Sequence, residues 1–218
     1  MISVYTNVFL LQQSEHQNYT DMLIALWPQL QWRHAGFGAL QAYIREGGAS
    51  ELRAHVWHPS LVKAGIEESG LCHDHRFAMR SSVLVGTIDQ TEFHLDPDPD
   101  GDWETLRVLH AREAMARGGS FHHDPMPTGE YFRRRRITHS VRAGCGYTFE
   151  KFAFHESRAI GVTVTLVEKS AQEDVNARIL APRGQQVVHA FTETQSAADF
   201  AGALAEGLAA LVRSREGA

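Results

Sequence analysis

The amino-acid sequence predicts a mainly β protein, in which an antiparallel sandwich or barrel lies between helical segments at the two ends of the chain. Two observations lead to this fold class. Short runs of β-branched and aromatic residues, separated by Gly, Pro and Asp at hairpin-like intervals, are confined to the stretch between about Ala54 and Phe191. Apolar residues at helical spacing occur instead in the first quarter of the chain and near its C-terminus.

The first quarter of the chain, residues 1–50, is predicted to be a helical extension. Between residues 15 and 27 the apolar side chains, among them Tyr19, Met22 and Leu26, fall near helical spacing. The segment GFGALQAYIREGG at residues 36–48 indicates a second helix, which its glycines stop.

The central part of the chain, residues 51–192, is expected to form the β-barrel. Its strand-like runs are ELRAHVWHPSL, SSVLVGTI, QTEFHL, YTFEKFAFH, AIGVTVTLVEK and QQVVHAF. Short strands at such intervals are typical of an antiparallel sandwich or barrel.

The last segment, residues 196–215, is predicted to be an amphipathic helix. Its apolar stripe consists of Phe200, Leu204, Leu208 and Leu211, and two arginines follow late in the segment, where the helix dipole favours positive charge. We expect the stripe to cap the barrel, although the same surface could serve a homodimer.

Composition narrows the class of protein. The chain has 218 residues, of which 43% are hydrophobic and 22% charged, as in ordinary globular proteins, and we expect a single domain over residues 1–218. A formal charge of −5 supplies no basic surface, so we expect no nucleic-acid partner. Two cysteines are too few for a disulfide framework, no signal peptide is recognisable, and no apolar run approaches membrane-spanning length. The sequence therefore predicts a cytoplasmic protein with no membrane association.

The chemistry is predicted from two histidines, His73 and His75, which precede an apolar run closed by Gly86. Residues i and i+2 of a strand project to the same face, so both imidazoles can bind one ion while Asp74 points away. With 13 histidines in 218 residues, about 0.8 such pairs are expected by chance, and the interpretation therefore needs a third ligand. The best candidate is His155, at the end of the aromatic run GYTFEKFAFH.

These residues also carry a family resemblance. The stretch HDHRFAMRSSVLVG resembles the first motif of the cupin superfamily, which reads H-x-H, three or four residues, Glu, six residues, Gly. The stretch GYTFEKFAFH is similar to a loose second motif, which supplies the last histidine. The resemblance covers residues 70–167 and implies a cupin-like double-stranded β-helix, or jelly-roll barrel, with N-terminal helices and a C-terminal helix.

The resemblance also implies a metal site of three histidines, His73, His75 and His155, similar to that of the thiol dioxygenases. Met79 stands at the motif's Glu position, with Arg80 next to it, so this sequence lacks the usual carboxylate ligand. A site of this type binds Fe(II), with Zn, Mn or Ni as alternatives.

Three neutral ligands leave the charge of the ion uncompensated. We therefore expect a small anionic substrate, such as a thiol, an amino-acid derivative or a carboxylic acid. Tyr147 and Arg80 are the candidate catalytic residues, because a phenol can donate to a bound oxygen species and a guanidinium can bind a carboxylate.

Three classes of function are compatible with these residues. The first is a mononuclear non-haem Fe(II) dioxygenase. The second is an oxygen-independent isomerase, lyase or hydrolase that uses Zn, Mn or Ni, and the third is a non-catalytic small-molecule-binding protein. The predicted N-terminal helices lack a basic recognition face, which favours the two enzyme classes over a DNA-binding sensor.

Overall fold

The computed structural model describes residues 6–35, 38–46, 50–61, 72–108, 122–123, 125–185, 189–190 and 200–217. Within them the strands are β1 (Asn7–Leu10), β2 (Arg33–His34), β3 (Ala39–Arg45), β4 (Ser50–Trp57), β5 (Met79–Pro97), β6 (Trp103–Arg107), β7 (His122–His123), β8 (Met126–Arg142), β9 (Cys145–Phe149), β10 (Phe154–Ser170), β11 (Arg178–Pro182) and β12 (His189–Ala190). The helices are α1 (Gln13–Leu26) and α2 (Ala201–Glu216), with short 3₁₀ turns at Trp27–Gln29 and Pro59–Leu61. The fold is mainly β, as predicted.

Most of the strands form one antiparallel sheet that curls into a barrel. Its order is β11-β6-β8-β5-β10-β4-β3-β2, with β9 paired to β5 and β1 paired to β9. His73 closes the sheet, because it bridges His155 of β10 on one side and Ile179 of β11 on the other. The paired segments therefore run from β10 through His73, β11, β6, β8 and β5 back to β10, which confirms the predicted jelly-roll barrel.

The long strands β5 and β10 bend together at Gly86. The pairing of β10 with β5 is continuous up to Ile160, and its register shifts before Val164. Gly86 has φ +79°, and a Cβ atom there would lie 2.4 Å from the carbonyl oxygen of Val162. Only glycine fits such a close approach in the left-handed region, so Gly86 sets the bend. The sequence predicted an apolar strand closed by Gly86, whereas β5 continues through this residue to Pro97.

The curled sheet carries a buried apolar cluster on each of its faces. On the outer face α1 and α2 cover β3, β4, β5 and β10, and the shared cluster includes Leu23, Leu40, Val56, Leu84, Val164, Leu166 and Leu211. On the inner face the barrel is filled by Ala39, Trp57, Val83, Ile88, Val141, Tyr147, Phe149 and Ala153.

Helix α2 caps the outer face of the sheet, as its apolar stripe predicted. Phe200 and Leu211 are buried in the outer cluster, and Leu204 and Leu208 pack against it. Gly207 lets the helix approach closely, since a Cβ atom there would lie 3.0 Å from Val56. The beginning of the predicted helix, up to residue 199, lies outside the described residues.

The prediction of a helix at residues 36–48 is wrong, because this segment contains strand β3. Leu40 belongs to the outer cluster and Ala39 to the inner one, so β3 is buried on both faces. A strand of this kind loses the polar alternation that distinguishes it from a helix. The N-terminal extension is therefore not helical throughout. α1 confirms the first predicted helix, but β1 precedes it in the chain and β2 and β3 follow it.

Strands β6, β8 and β11 were not predicted from the sequence. β8 is mostly exposed and contains the run RRRR at residues 133–136, which has no apolar alternation. Its register with β5 places Arg133 beside Asp96 and Arg135 beside His94. Arg135 forms an ion pair with Asp96 at 3.2 Å, so this charge run is a solvated strand that acidic neighbours partly neutralise.

Two further expectations concern membranes and thiols. Among the described residues, neither helix combines the length and the apolar character that crossing a bilayer requires. Cys72 is buried, Cys145 is partly buried, and both are free thiols.

The bend at Gly86 leads to a stability prediction. Gly86→Ala and Gly161→Ala both place a Cβ atom at positive φ, but only the first meets neighbouring backbone, since nothing lies within 4 Å of the second. The left-handed conformation costs about 1–2 kcal/mol at either site, and we expect Gly86→Ala to lose about 2 kcal/mol more because the strands must separate. Urea denaturation of both variants measures the difference. Equal losses would contradict the role given to Gly86.

Candidate metal centre

Three histidines converge at the closure of the barrel. His155 is the second residue of β10, and it exchanges two backbone hydrogen bonds with His73, whose N–H donates at 3.1 Å and whose carbonyl accepts at 2.9 Å. His75 is tied from the other side, because its carbonyl accepts a bond from the Phe152 N–H at 2.7 Å. Backbone pairing therefore brings together residues that lie about 80 positions apart in the chain.

The residue between the two histidines points away from them, as the sequence analysis expected. The Asp74 carboxylate is fully buried. It accepts the Arg178 backbone N–H at 2.6 Å and the Arg178 guanidinium at 2.8 Å. Burial raises the pKa of this carboxyl, and the neighbouring Arg178 partly offsets that effect. The pair fastens the His73–His75 segment to β11, and both imidazoles are left on the opposite side.

The three imidazoles form a compact group. The ring centroids are 4.7 Å apart for His73 and His75, and each of these rings lies 4.9 Å from the His155 ring. One nitrogen from each ring lies within 4.8 Å of the other two. The structure therefore brings together the three residues that were predicted as metal ligands.

The hydrogen bond of His155 suits a metal ligand. Its Nδ1 lies 3.0 Å from the carbonyl oxygen of Ala153, which can only accept. Nδ1 therefore carries the proton, and the lone pair of Nε2 is left for a metal. Phe149 stacks on the ring with centroids 4.2 Å apart, which fixes its plane.

Two of the histidines are held in the neutral form, which is the form that binds metals. Burial lowers the pKa of His155 to about 3, and the neighbouring His73 lowers it further. Burial also lowers the pKa of His75 well below its usual range, and the effect is increased by His73 and His155. Neutral imidazoles are ligands for Fe, Zn, Ni and Cu, so the donor set fits a divalent ion.

A buried cation lies close to the histidines. Phe77 stacks on His75 with centroids 4.5 Å apart, and the Lys169 ammonium lies 3.7 Å from the centroid of the same Phe77 ring. Lys169 is 3% exposed and binds Glu51 at 3.1 Å, and the Glu51 carboxylate also pairs with Arg53. Burial lowers the pKa of Lys169 to about 8, with a further contribution from Arg53.

Tyr147, predicted as catalytic, lies in the inner wall and not directly against the three imidazoles. Its ring is 5.6 Å from that of Phe149, which in turn stacks on His155. Burial raises the pKa of its hydroxyl to about 12, and neighbouring Ser81 and Ser157 partly offset the rise. The hydroxyl is therefore neutral, and the Tyr147 ring is linked to the His155 ring through Phe149, which contacts both.

Arg80, the second predicted catalytic residue, lies with the helical layer. Its guanidinium binds Glu15 at 2.8 Å and the Tyr19 hydroxyl at 3.3 Å, and it covers the ring of Phe9. The alternation of β5 explains this placement: Arg80 faces α1, whereas its neighbour Met79 packs against the inner cluster. The structure thus does not bring Arg80 to the histidines.

Sequence reasoning missed the buried polar residues Gln90, Glu92 and Lys169. Glu92 lies directly opposite His155 in the β5–β10 register, and its carboxylate accepts the Thr6 N–H at 2.6 Å. The alternation within QTEFHL places Gln90 and Glu92 on one face and could have identified them. No comparable signal marks Lys169, because only the fold brings the end of β10 to Phe77.

Comparison with family profiles and with characterised protein sequences finds no match. Among solved structures, the chain is similar to an RmlC-like cupin from Shewanella frigidimarina (14% identity, 67% of this chain and 88% of that chain, TM-score 0.37). It is also similar to a cupin 2 domain-containing protein from Halorhodospira halophila (13% identity, 96% of this chain and 94% of that chain, TM-score 0.37). A third similar structure is the oxalate decarboxylase from Lactobacillus farciminis in its formate complex (13% identity, 67% of this chain and 32% of that chain, TM-score 0.39). The chain thus spans about a third of that decarboxylase.

The geometry predicts that each of the three histidines is required for metal binding. Alanine at position 73, 75 or 155 should reduce the metal content of the purified protein at least about 10-fold, because two imidazoles bind a divalent ion much more weakly than three. Elemental analysis measures the metal, and circular dichroism checks the fold.

His58→Ala is the matched control, since His58 contacts Ser60 and Glu206 in another part of the fold. It should retain the wild-type metal content. Wild-type metal content in all three site variants would place the metal elsewhere.

Proposed function

We propose that the protein is a metal-dependent enzyme, and specifically a mononuclear non-haem Fe(II) dioxygenase that acts on a small anionic substrate. The observation that carries this proposal is a group of three converging imidazoles with a buried cation beside it. Among the described residues the group contains His73, His75 and His155 and no carboxylate.

The ligand set favours an anionic substrate. Three neutral imidazoles donate lone pairs without cancelling the charge of a divalent ion. Fe(II) held there would supply open coordination positions for substrate and dioxygen. A thiolate or carboxylate would offset the positive charge that the protein itself leaves uncompensated.

Nearby side chains add to the positive potential. Lys169 and Arg53 share one carboxylate, that of Glu51, so this partly buried cluster keeps an excess of one positive charge when Lys169 is protonated. Both cations contribute to the lowered pKa of His75, so their field reaches the histidines. In a poorly hydrated interior such a field attracts an anion strongly.

The remaining residues orient the ligands and exclude water. The Ala153 carbonyl holds His155 in one tautomer, and Asp74 with Arg178 fixes the segment that carries the other two histidines. Phe149 and Phe77 stack on two of the imidazoles and keep water from those ring faces. This preorganisation is what a metal-dependent enzyme requires of its ligands.

The proposal predicts oxygen-dependent turnover. Protein purified without added metal is analysed for its metals, loaded with Fe(II) and assayed for oxygen uptake with small thiols, amino-acid derivatives and carboxylic acids. At least one anionic compound should be consumed with dioxygen. Product formation at the same rate without oxygen would favour the isomerase, lyase or hydrolase class, and ligand binding without any turnover would favour a binding protein.

A second prediction isolates the buried lysine. Lys169→Met should raise the KM for the anionic substrate about 10-fold or more at unchanged metal content, because it removes the charge while Arg53 still neutralises Glu51. In the wild type the KM should rise as the pH passes about 8, where Lys169 loses its proton, and in the variant this rise should be absent.

Lys151→Met is the matched control, since Lys151 forms a surface ion pair with Glu173. Its KM and pH profile should equal those of the wild type. An unchanged KM in Lys169→Met would remove Lys169 from substrate binding.

A further inference from the structure

The inner wall of the barrel contains an amide group with an unused donor. Gln90 of β5 is fully buried, and its Oε1 accepts a hydrogen bond from the Ser157 hydroxyl at 2.8 Å. Its Nε2 is equally shielded from solvent and has no hydrogen-bond partner among the residues that the structure describes. The oxygen of this side chain is thus fixed by the protein, while the two N–H groups are not.

An unpaired donor of this kind is unusual in a protein interior. Buried polar side-chain atoms almost always have a partner, because leaving one unpaired forfeits its hydrogen bonds with water. The neighbouring polar groups do have partners, since the Ser157 hydroxyl forms hydrogen bonds with both Gln90 and the Tyr147 hydroxyl. The amide therefore indicates an acceptor that the described residues do not supply.

The position of Gln90 relates this donor to the metal centre. In the β5–β10 register Gln90 lies opposite Ser157, and Glu92 lies opposite His155. Because Ser157 and His155 are two residues apart on one strand, all four side chains share one face. Diagonal neighbours such as Gln90 and His155 lie about 7–8 Å apart, a distance that a small molecule bound near His155 can span.

We infer that Gln90 determines substrate specificity by donating an Nε2 hydrogen bond to an oxygen atom of the substrate. The inference rests on the proposed function and narrows its substrate class. The substrate would carry one anionic group that binds the metal and a second group, a carboxylate or carbonyl, that accepts the amide hydrogen bond. Ser157 holds the amide so that it presents a donor, and a site built in this way rejects analogues that lack the acceptor.

The test compares the binding of a monocarboxylic acid with that of dicarboxylic acids of increasing length. Protein loaded with Zn(II), which prevents redox turnover, is titrated calorimetrically with acetate, malonate, succinate and glutarate. We expect at least one dicarboxylate to bind about 10-fold or more tightly than acetate, because only a second carboxylate can reach the amide. Gln90→Met, which keeps the length of the side chain and removes the donor, should abolish this preference and leave acetate binding unchanged.

Two further variants complete the test. Gln90→Glu keeps an oxygen for Ser157 and replaces the donor by a carboxylate, so it should weaken dicarboxylate binding even more than Gln90→Met. Thr91→Val is the matched control, because Thr91 lies on the other face of β5 and bonds Thr138 at 2.9 Å. It should bind the whole series as the wild type does.

The outcomes separate this inference from the proposed function. If the Gln90 variants hold Zn(II) and keep the wild-type preference, or if the wild type binds all four acids equally, the inference about Gln90 is overturned and the metal centre stands. If the wild-type protein binds no metal at the three histidines, both are overturned.

Discussion

The backbone pairing between His73 and His155 is the constraint on which the rest of the site depends. The two residues exchange N–H to carbonyl bonds at 3.1 and 2.9 Å, and residues that face each other in this way project their side chains to the same side. The bridge to Ile179 and the ion pair of the buried Asp74 with Arg178 secure the same segment to β11. One short stretch of chain therefore closes the barrel and supplies two of the three imidazoles.

The interior of the barrel at least partly buries these imidazoles and keeps a cation close to them. Burial lowers the pKa of His155 to about 3 and keeps that ring neutral, while Lys169 remains a cation beside Phe77. The bend of β5 and β10 at Gly86 lets the two strands wrap around this interior. We propose that the neutral ligands, the nearby cation and the amide donor at Gln90 together favour a small anion with two polar ends.

The sequence predicted the parts that depend on local patterns. Alternation around His73 and His75 predicted their shared face, and the apolar stripe through Leu204 and Leu211 predicted the cap. The helix expected at residues 36–48 failed because β3 is buried on both faces, and Arg80 was assigned to the site without regard to the face of β5 on which it lies. Lys169 could not be found at all, since its position beside Phe77 results from the curl of the whole sheet.

X-ray absorption spectroscopy of the Zn(II)-loaded protein tests the central claim most directly, because it reports the atoms bound to the metal. Three imidazole ligands should give a nitrogen shell at about 2.0–2.1 Å with the multiple scattering of three rings. In the variant His155→Ala the multiple scattering should correspond to two imidazole rings instead of three. A sulfur shell at about 2.3 Å, which would indicate ligation by Cys72 or Cys145, or a spectrum without imidazole scattering, would contradict the account.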